Sequence, residues 1–176
     1  MNAPPPIGVV RGLQTGEAQS LFEHVLALHG TSLRVVGVIE ENGPVPARGK
    51  AGYLRTLPDG RRFDLFQDLG SGAAGCSLLA AGVVAAGAHV LAAMARPCDL
   101  VVLNKFGRLE AEEGTGLIDV FGAAMLAGIP VLTSVNPKFL GAWDRFAAPL
   151  YAVLPPHEAA IGDWLRAVTA KEGARP

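Results

Sequence analysis

Four consecutive apolar residues, Leu100 to Leu103, lead directly into Asn104 and Lys105, with Glu110 in the segment beyond. Such an apolar run predicts a buried strand, and open α/β sheets bind ligands at the carboxyl ends of their strands. A nucleoside triphosphatase places acidic side chains at this point to hold Mg²⁺ and orient water. Because this chain has an amide and an ammonium there, the run predicts anion binding without hydrolysis, with Lys105 as the counter-charge.

Glu110 lies in a loop that also carries Arg108. We expect its carboxylate to pair with Lys105 or with Arg108, because opposite charges near a strand end attract one another. The alternative is that all three are solvated loop charges.

The turn after the first predicted strand occupies the position of a phosphate-binding loop and contains Gly12, Thr15 and Gly16. Such a loop cradles an anion with backbone N–H groups, adds a Lys for the outer phosphates and supplies a hydroxyl for Mg²⁺. Here Glu17 stands at the Lys position and Ala18 at the hydroxyl position. The turn predicts an anion cradle without magnesium-handling side chains, and an ordinary tight turn is the alternative.

A second anion cradle is predicted in the glycine-rich stretch before an Ala-rich helix. Consecutive N–H groups in such turns form nests that bind anions. The alternative is a connector that needs glycine for a tight corner. The residues assigned to this second cradle are Gln67, Asp68, Gly70, Ser71, Gly72, Gly75 and Cys76.

Composition points to a helix-covered parallel sheet in one domain, residues 1–176. Half of the residues are hydrophobic but only 6% are aromatic and 18% charged, so the core is built mainly from Ala, Val and Leu.

The net charge is −1 and the basic residues are scattered, which argues against nucleic-acid binding. No secretory signal or membrane span is predicted, so we expect a cytoplasmic protein. The cysteines and histidines show no metal-binding spacing.

Hydrophobic periodicity predicts a three-layer αβα fold with a mainly parallel sheet and a β-hairpin insertion. Strands are expected at residues 7–10, 33–39, 99–104, 129–135 and 150–154. Helices are expected from residue 17 to a stop at Gly30, and over 77–95, 116–127, 137–146 and 158–168. The hairpin joins residues 53–57 and 62–67 through a Pro-Asp-Gly-Arg turn.

Three segments carry a family resemblance, which covers the chain from Ile7 to about Leu165. They are Gln67-Asp68-Leu69-Gly70 with Gly75-Cys76, Asp99 to Gly107 with Glu110-Ala111-Glu112, and Ala127-Gly128-Ile129-Pro130-Val131-Leu132-Thr133. Together they resemble an uncharacterised bacterial family of unknown function whose members are often encoded beside molybdate-transport genes.

That family is similar, more distantly, to small P-loop nucleoside triphosphatases, in which a strand ends in Asp-Glu-Ile-Gly-Lys-Met-Glu. The segment from Asn104 to Glu110 lies over this pattern and retains Gly107 and Glu110. Asn104 replaces the metal-orienting Asp, and Lys105 replaces the water-activating Glu. The resemblance therefore implies a P-loop-like topology with degenerate Walker motifs.

These residues predict a binding module rather than an enzyme. Its expected partner is a small oxyanion, molybdate by genomic association, or a nucleotide; no cofactor is assigned and self-association stays open. One alternative is a slow nucleoside triphosphatase or phosphotransferase, with Asp68 or Glu110 holding Mg²⁺. A second alternative is a ligand-free protein that contacts a transporter or enzyme through exposed Trp143, Phe139 and Trp164.

Overall fold

The computed structural model describes residues 4–43, 52–66 and 79–170. They form a seven-stranded sheet with the order β4-β3-β2-β5-β6-β1-β7. The five strands from β2 to β7 in this order pair in parallel, and β3 and β4 extend the sheet as an antiparallel hairpin beside β2. The strands are β1 Ile7–Val10, β2 Val35–Asn42, β3 Gly52–Leu57, β4 Arg62–Asp64, β5 Leu100–Phe106, β6 Val131–Val135 and β7 Tyr151–Leu154.

Five helices connect these strands: α1 Thr15–His29, α2 Ala80–Ala93, α3 Ile118–Ala127, α4 Leu140–Ala147 and α5 Glu158–Thr169. Helix α3 ends at Gly128, which adopts a left-handed conformation with φ of 66°. Glycine is favoured there because it has no Cβ to clash in that conformation. Within the described part of the chain, no helix has the length and apolar character needed to cross a membrane.

Helices cover both faces of the sheet, because successive strand residues point to opposite sides. Val101 and Leu103 belong to a cluster that includes Phe121 of α3. Leu100 and Val102 belong to the other cluster, which includes residues of α1 and α5. The protein is therefore a mixed α/β fold around a mostly parallel sheet, as the periodicity predicted.

Two strands run further than local patterns indicated. Strand β2 extends to Asn42 because it keeps pairing with β3, and β5 extends to Phe106. The pairing of β5 with β6 shifts register between Leu103 and Phe106, so the polar pair lies within the strand rather than after it. The hairpin is confirmed, with Gly60 at φ of 71° in its turn.

The alternative of a docking surface built from exposed C-terminal aromatic residues is contradicted for both tryptophans, which pack on the sheet instead. Trp143 is fully buried among Phe106, Phe121 and other rings of one cluster, and Trp164 is 5% exposed in the other. Phe139 is partly buried against the first cluster. Burial of these large rings stabilises the helix–sheet contact, so they do not form a docking surface.

Candidate functional site

Strands β1 and β6 are neighbours in the sheet, and their outgoing connections run in opposite directions from the carboxyl-terminal edge. The chain leaves β1 through α1 towards β2, and it leaves the neighbouring β6 through α4 towards β7 on the opposite face. Ligands of open α/β sheets bind where adjacent connections diverge in this way. The topology therefore places the first candidate loop at the position expected for a ligand.

The loop between β1 and α1 has open space beside both of its glycines. Gly12 has φ of +84°, and a Cβ built on Gly12 or Gly16 would meet no atom within 4 Å. Helix α1 begins in this loop, and the Glu17 carboxylate accepts a hydrogen bond of 2.8 Å from Gln14 N. One orphan N–H of the helix end is thus satisfied by Glu17, which the sequence analysis aligned with the phosphate-binding Lys. Ala18, aligned there with the hydroxyl residue, is 1% exposed.

Arg11 connects this loop to the last strand. Its guanidinium donates to Tyr151 Oη at 3.1 Å and lies 3.9 Å from Asp144 Oδ1. Tyr151 in turn donates to Asp144, which raises the pKa of the tyrosine hydroxyl. The positive charge of Arg11 is therefore partly balanced by Asp144.

Lys105 is held by a carboxylate from the neighbouring strand. Its Nζ lies 2.9 Å from Glu40 Oε2, and Asn104 Nδ2 lies 3.4 Å from the same oxygen. The side chain of Lys105 is 32% exposed and that of Glu40 only 14%. Because β2 and β5 are adjacent parallel strands, their carboxyl ends bring these residues together. The predicted counter-charge is therefore already paired within the protein.

Gln19 fixes α1 to these two strands. It is 4% exposed, its Nε2 donates to Asn104 O at 3.1 Å, and its Oε1 accepts from Glu40 N at 2.9 Å. Ser134 Oγ of β6 donates to the same Asn104 carbonyl at 2.8 Å. Satisfied buried polar groups of this kind hold neighbouring elements in one arrangement. The network positions the strand end beneath α1.

Glu110 does not pair with Lys105 or Arg108, so that prediction is wrong. It is 8% exposed, and its two oxygens accept hydrogen bonds of 2.9 Å from Gly107 N and Leu117 N. These N–H groups flank the π-helical turn Leu109–Glu113, which otherwise leaves them without partners. In this structure Glu110 holds the loop after β5.

Arg108 pairs instead with Glu113, at 3.2 Å. Gly116, with φ of +73°, makes room for the buried carboxylate, since a Cβ there would lie 2.4 Å from Glu110 Oε1. The loop after β5 is thus a built structure, held by the hydrogen bonds to Glu110 and the ion pair of Arg108 with Glu113.

Acidic groups line a small cavity, about 130 Å³, beside the start of α1. Glu40, Glu41 and Glu23 each lie close to a cation: Lys105 at 2.9 Å, Arg62 at 2.8 Å and Arg55 at 2.7 Å respectively. The hydrogen bond from Arg62 lowers the pKa of the Glu41 carboxyl. Among residues 4–43, 52–66 and 79–170, no cluster of His, Cys, Asp and Glu has the arrangement of a metal site.

Several predicted site residues lie outside the described residues, so their convergence with the first loop stays a prediction. Thr15 begins α1, but its side chain is also outside the description. The others outside are Gln67, Asp68, Gly70, Ser71, Gly72, Gly75 and Cys76.

Gln19 and Glu40 were missed by sequence reasoning. Glu40 was placed beyond the second strand, although it directly follows the apolar residues of that strand as Asn104 does in β5. Gln19 lies three positions before the buried Phe22 on the same side of α1, where a polar residue needs internal partners. The position after an apolar strand could therefore have identified Glu40, and helical spacing from a buried residue could have identified Gln19.

Comparison with known proteins identifies relatives. A segment of the chain is 37% identical over 139 residues to a protein named molybdenum import ATP-binding protein ModC 2, from Bradyrhizobium diazoefficiens. The alignment covers 78% of this chain but 15% of that relative, so the chain corresponds to a small part of a longer protein. No solved structure gives a significant match. A family model matches residues 7–164, and the chain therefore belongs to the family described as protein of unknown function DUF2478.

Proposed function

We propose that this chain binds a small oxyanion such as molybdate, or the phosphates of a nucleotide, without hydrolysing it. The site is the carboxyl-terminal edge of the sheet, where β1 and β6 are neighbours. The observation that carries this proposal is the open loop of Gly12 and Gly16 at the start of α1, located where the connections diverge. Backbone N–H groups at such a helix end favour anions.

The absence of hydrolysis follows from the residue types at the end of β5. Asn104 and Lys105 cannot replace carboxylates that hold Mg²⁺ and orient water. Asn104 Nδ2 and Lys105 Nζ also lie 3.4 and 2.9 Å from Glu40 Oε2, so both side chains already have a partner within the protein. Losing one preorganised group of the transition-state site costs about 3–4 kcal/mol of activation free energy.

In this proposal, Lys105 acts as the counter-charge after the anion draws it away from Glu40. Asn104, Gly12 and Gly16 line the same edge, and the predicted glycine-rich cradle at residues 67–76 would add further N–H groups. The arrangement is a P-loop-like topology whose Walker positions no longer handle magnesium. Glu110 supports the loop rather than the ligand.

The link to molybdenum is also a proposal, supported by the name of the relative. Its ATP-binding role belongs to a longer protein, of which 15% aligns with this chain. We propose that residues 1–176 form one domain that binds its ligand in the same molybdate-related context.

The test is a thermal-shift titration with molybdate, tungstate, phosphate, ATP and GTP, each with and without Mg²⁺, together with a phosphate-release assay. A ligand at about 100 times its Kd adds about 2.7 kcal/mol to the free energy of unfolding. For a chain of this size that raises the Tm by roughly 5–10 °C. We expect a magnesium-independent shift and no phosphate release. Brisk magnesium-dependent phosphate release, or no shift with any compound, would contradict the proposal.

A further inference from the structure

A second cavity, about 580 Å³, opens at the amino-terminal end of the parallel strands, opposite the proposed oxyanion site. It lies between the beginning of β2, the end of β3 and the last turn of α2 together with the residues that follow it. Sites for small organic ligands have volumes of about 300–1,000 Å³ and mostly apolar walls with a few polar groups. The size of this cavity falls within that range.

The walls of the cavity are mainly aliphatic. Val36 and Leu57 come from the sheet, Ala92 and Ala93 from α2, and Pro58 from the hairpin turn. These side chains offer no hydrogen bonds, so they favour the apolar body of a ligand by removing its surface from water. The polar groups that line the cavity are therefore the ones that select what binds.

One polar end of the cavity is an Asp–His pair. His89 Nε2 donates to Asp59 Oδ2 at 2.7 Å, and Thr56 Oγ1 donates to Asp59 Oδ1 at 2.5 Å. The bonds from Thr56 and then His89 lower the pKa of the Asp59 carboxyl, so it accepts as a carboxylate. Nε2 of His89 is therefore the donor in this pair, and its Nδ1 makes no hydrogen bond to a described residue.

The other polar groups are two arginines, which differ in whether they form an ion pair with a described residue. Arg34 donates to both oxygens of Asp99, at 2.7 and 2.9 Å, so its charge is neutralised within the protein. Arg96 is exposed at the end of the cavity formed by the residues after α2, and it makes no ion pair with any residue the structure describes. A guanidinium presents a planar fork of donors that matches a carboxylate.

We propose that this cavity binds a small organic carboxylate with an apolar body. The carboxylate pairs with Arg96, and the aliphatic or aromatic body lies against Val36, Leu57 and Ala92. Arg96 favours a negatively charged ligand, because the charges of Arg34 and Asp59 already have partners within the protein.

This site is independent of the proposed oxyanion site. Val36 lies near the beginning of β2 and Asn42 at its end, six residues apart, which corresponds to about 20 Å. Failure of one proposal therefore leaves the other unaffected, since the two sites share no lining residue.

The experiment is an NMR titration of the ¹⁵N-labelled full chain with 3-phenylpropionate. The neutral 3-phenylpropanamide and the cationic 3-phenylpropylamine serve as matched probes of the same shape. We expect shift changes that cluster at the amides of Val36, Leu57 and Ala93, with the carboxylate binding at least tenfold more tightly than the amine. Equal binding of carboxylate and amine, or no clustered shifts up to about 10 mM, would overturn the proposal.

Two variants locate the binding. Arg96→Gln is expected to weaken 3-phenylpropionate binding about tenfold, whereas Arg145→Gln, which removes the same charge from an exposed position of α4, leaves it unchanged. Ala92→Trp fills the cavity from an exposed helix position and is expected to abolish binding with the fold intact. Unchanged affinity in either cavity variant would refute the assignment.

Discussion

Replacing Glu40 by glutamine is expected to strengthen oxyanion binding at the β1–β6 edge. Lys105 Nζ lies 2.9 Å from Glu40 Oε2, so an incoming anion competes with this carboxylate for the same ammonium. The substitution removes the competing charge, but glutamine still offers an oxygen to Lys105 and to Asn104. Less free energy is then needed to separate the Lys105 ammonium from residue 40, so it binds the ligand more readily.

The magnitude follows from the burial of the pair. Lys105 is 32% exposed and Glu40 14%, which places the pair between surface pairs, worth about 0–1 kcal/mol, and fully buried pairs, whose disruption costs about 3–5 kcal/mol. We take about 1–2 kcal/mol for the contact that the ligand must displace. This corresponds to roughly 5- to 30-fold tighter binding in Glu40→Gln.

The assay is isothermal titration with molybdate, phosphate and ATP at two salt concentrations, because partly exposed charges are screened. Glu113→Gln is the matched control, since it removes one negative charge from the ion pair with Arg108 in the loop after β5. The control is expected to change affinity less than twofold. If Glu40→Gln binds no more tightly than the control, the competition between Glu40 and the ligand is refuted.

Three further outcomes are expected. Lys105→Ala abolishes the ligand-induced thermal shift while the circular dichroism spectrum of the folded protein is retained; an unchanged shift would place the site elsewhere. Glu110→Ala lowers the free energy of unfolding by about 2–4 kcal/mol in urea titrations, because Gly107 N and Leu117 N lose their acceptor; a loss below about 1 kcal/mol would contradict the supporting role of this carboxylate. The lowered pKa of Asp59 stabilises the folded protein above the ordinary aspartate pKa near 4, and this contribution is lost as the pH falls through the lower folded-state value, so Asp59→Asn flattens the acid limb of the stability curve. An identical acid limb in both proteins would show that Asp59 does not contribute.

Local patterns were sufficient for most helices and strands and for the chemical character of the candidate site. The apolar run before Asn104 formed a buried strand, and Gly128 and Gly60 ended a helix and shaped a turn as their backbone freedom predicts. The amide and the ammonium that follow this run, at Asn104 and Lys105, are likewise visible in the chain itself. These features depend on neighbouring residues only, so their physical causes are present in short segments.

Pairing across the sheet depended on tertiary structure. Glu40 and Lys105 are 65 positions apart, and they meet because β2 and β5 align as parallel neighbours. Gln19 reaches Asn104 across 85 positions because α1 packs over that strand end. Glu110, which local charge alone would pair with a nearby cation, satisfies buried N–H groups instead, since an unpaired buried donor costs more than a solvated ion pair returns.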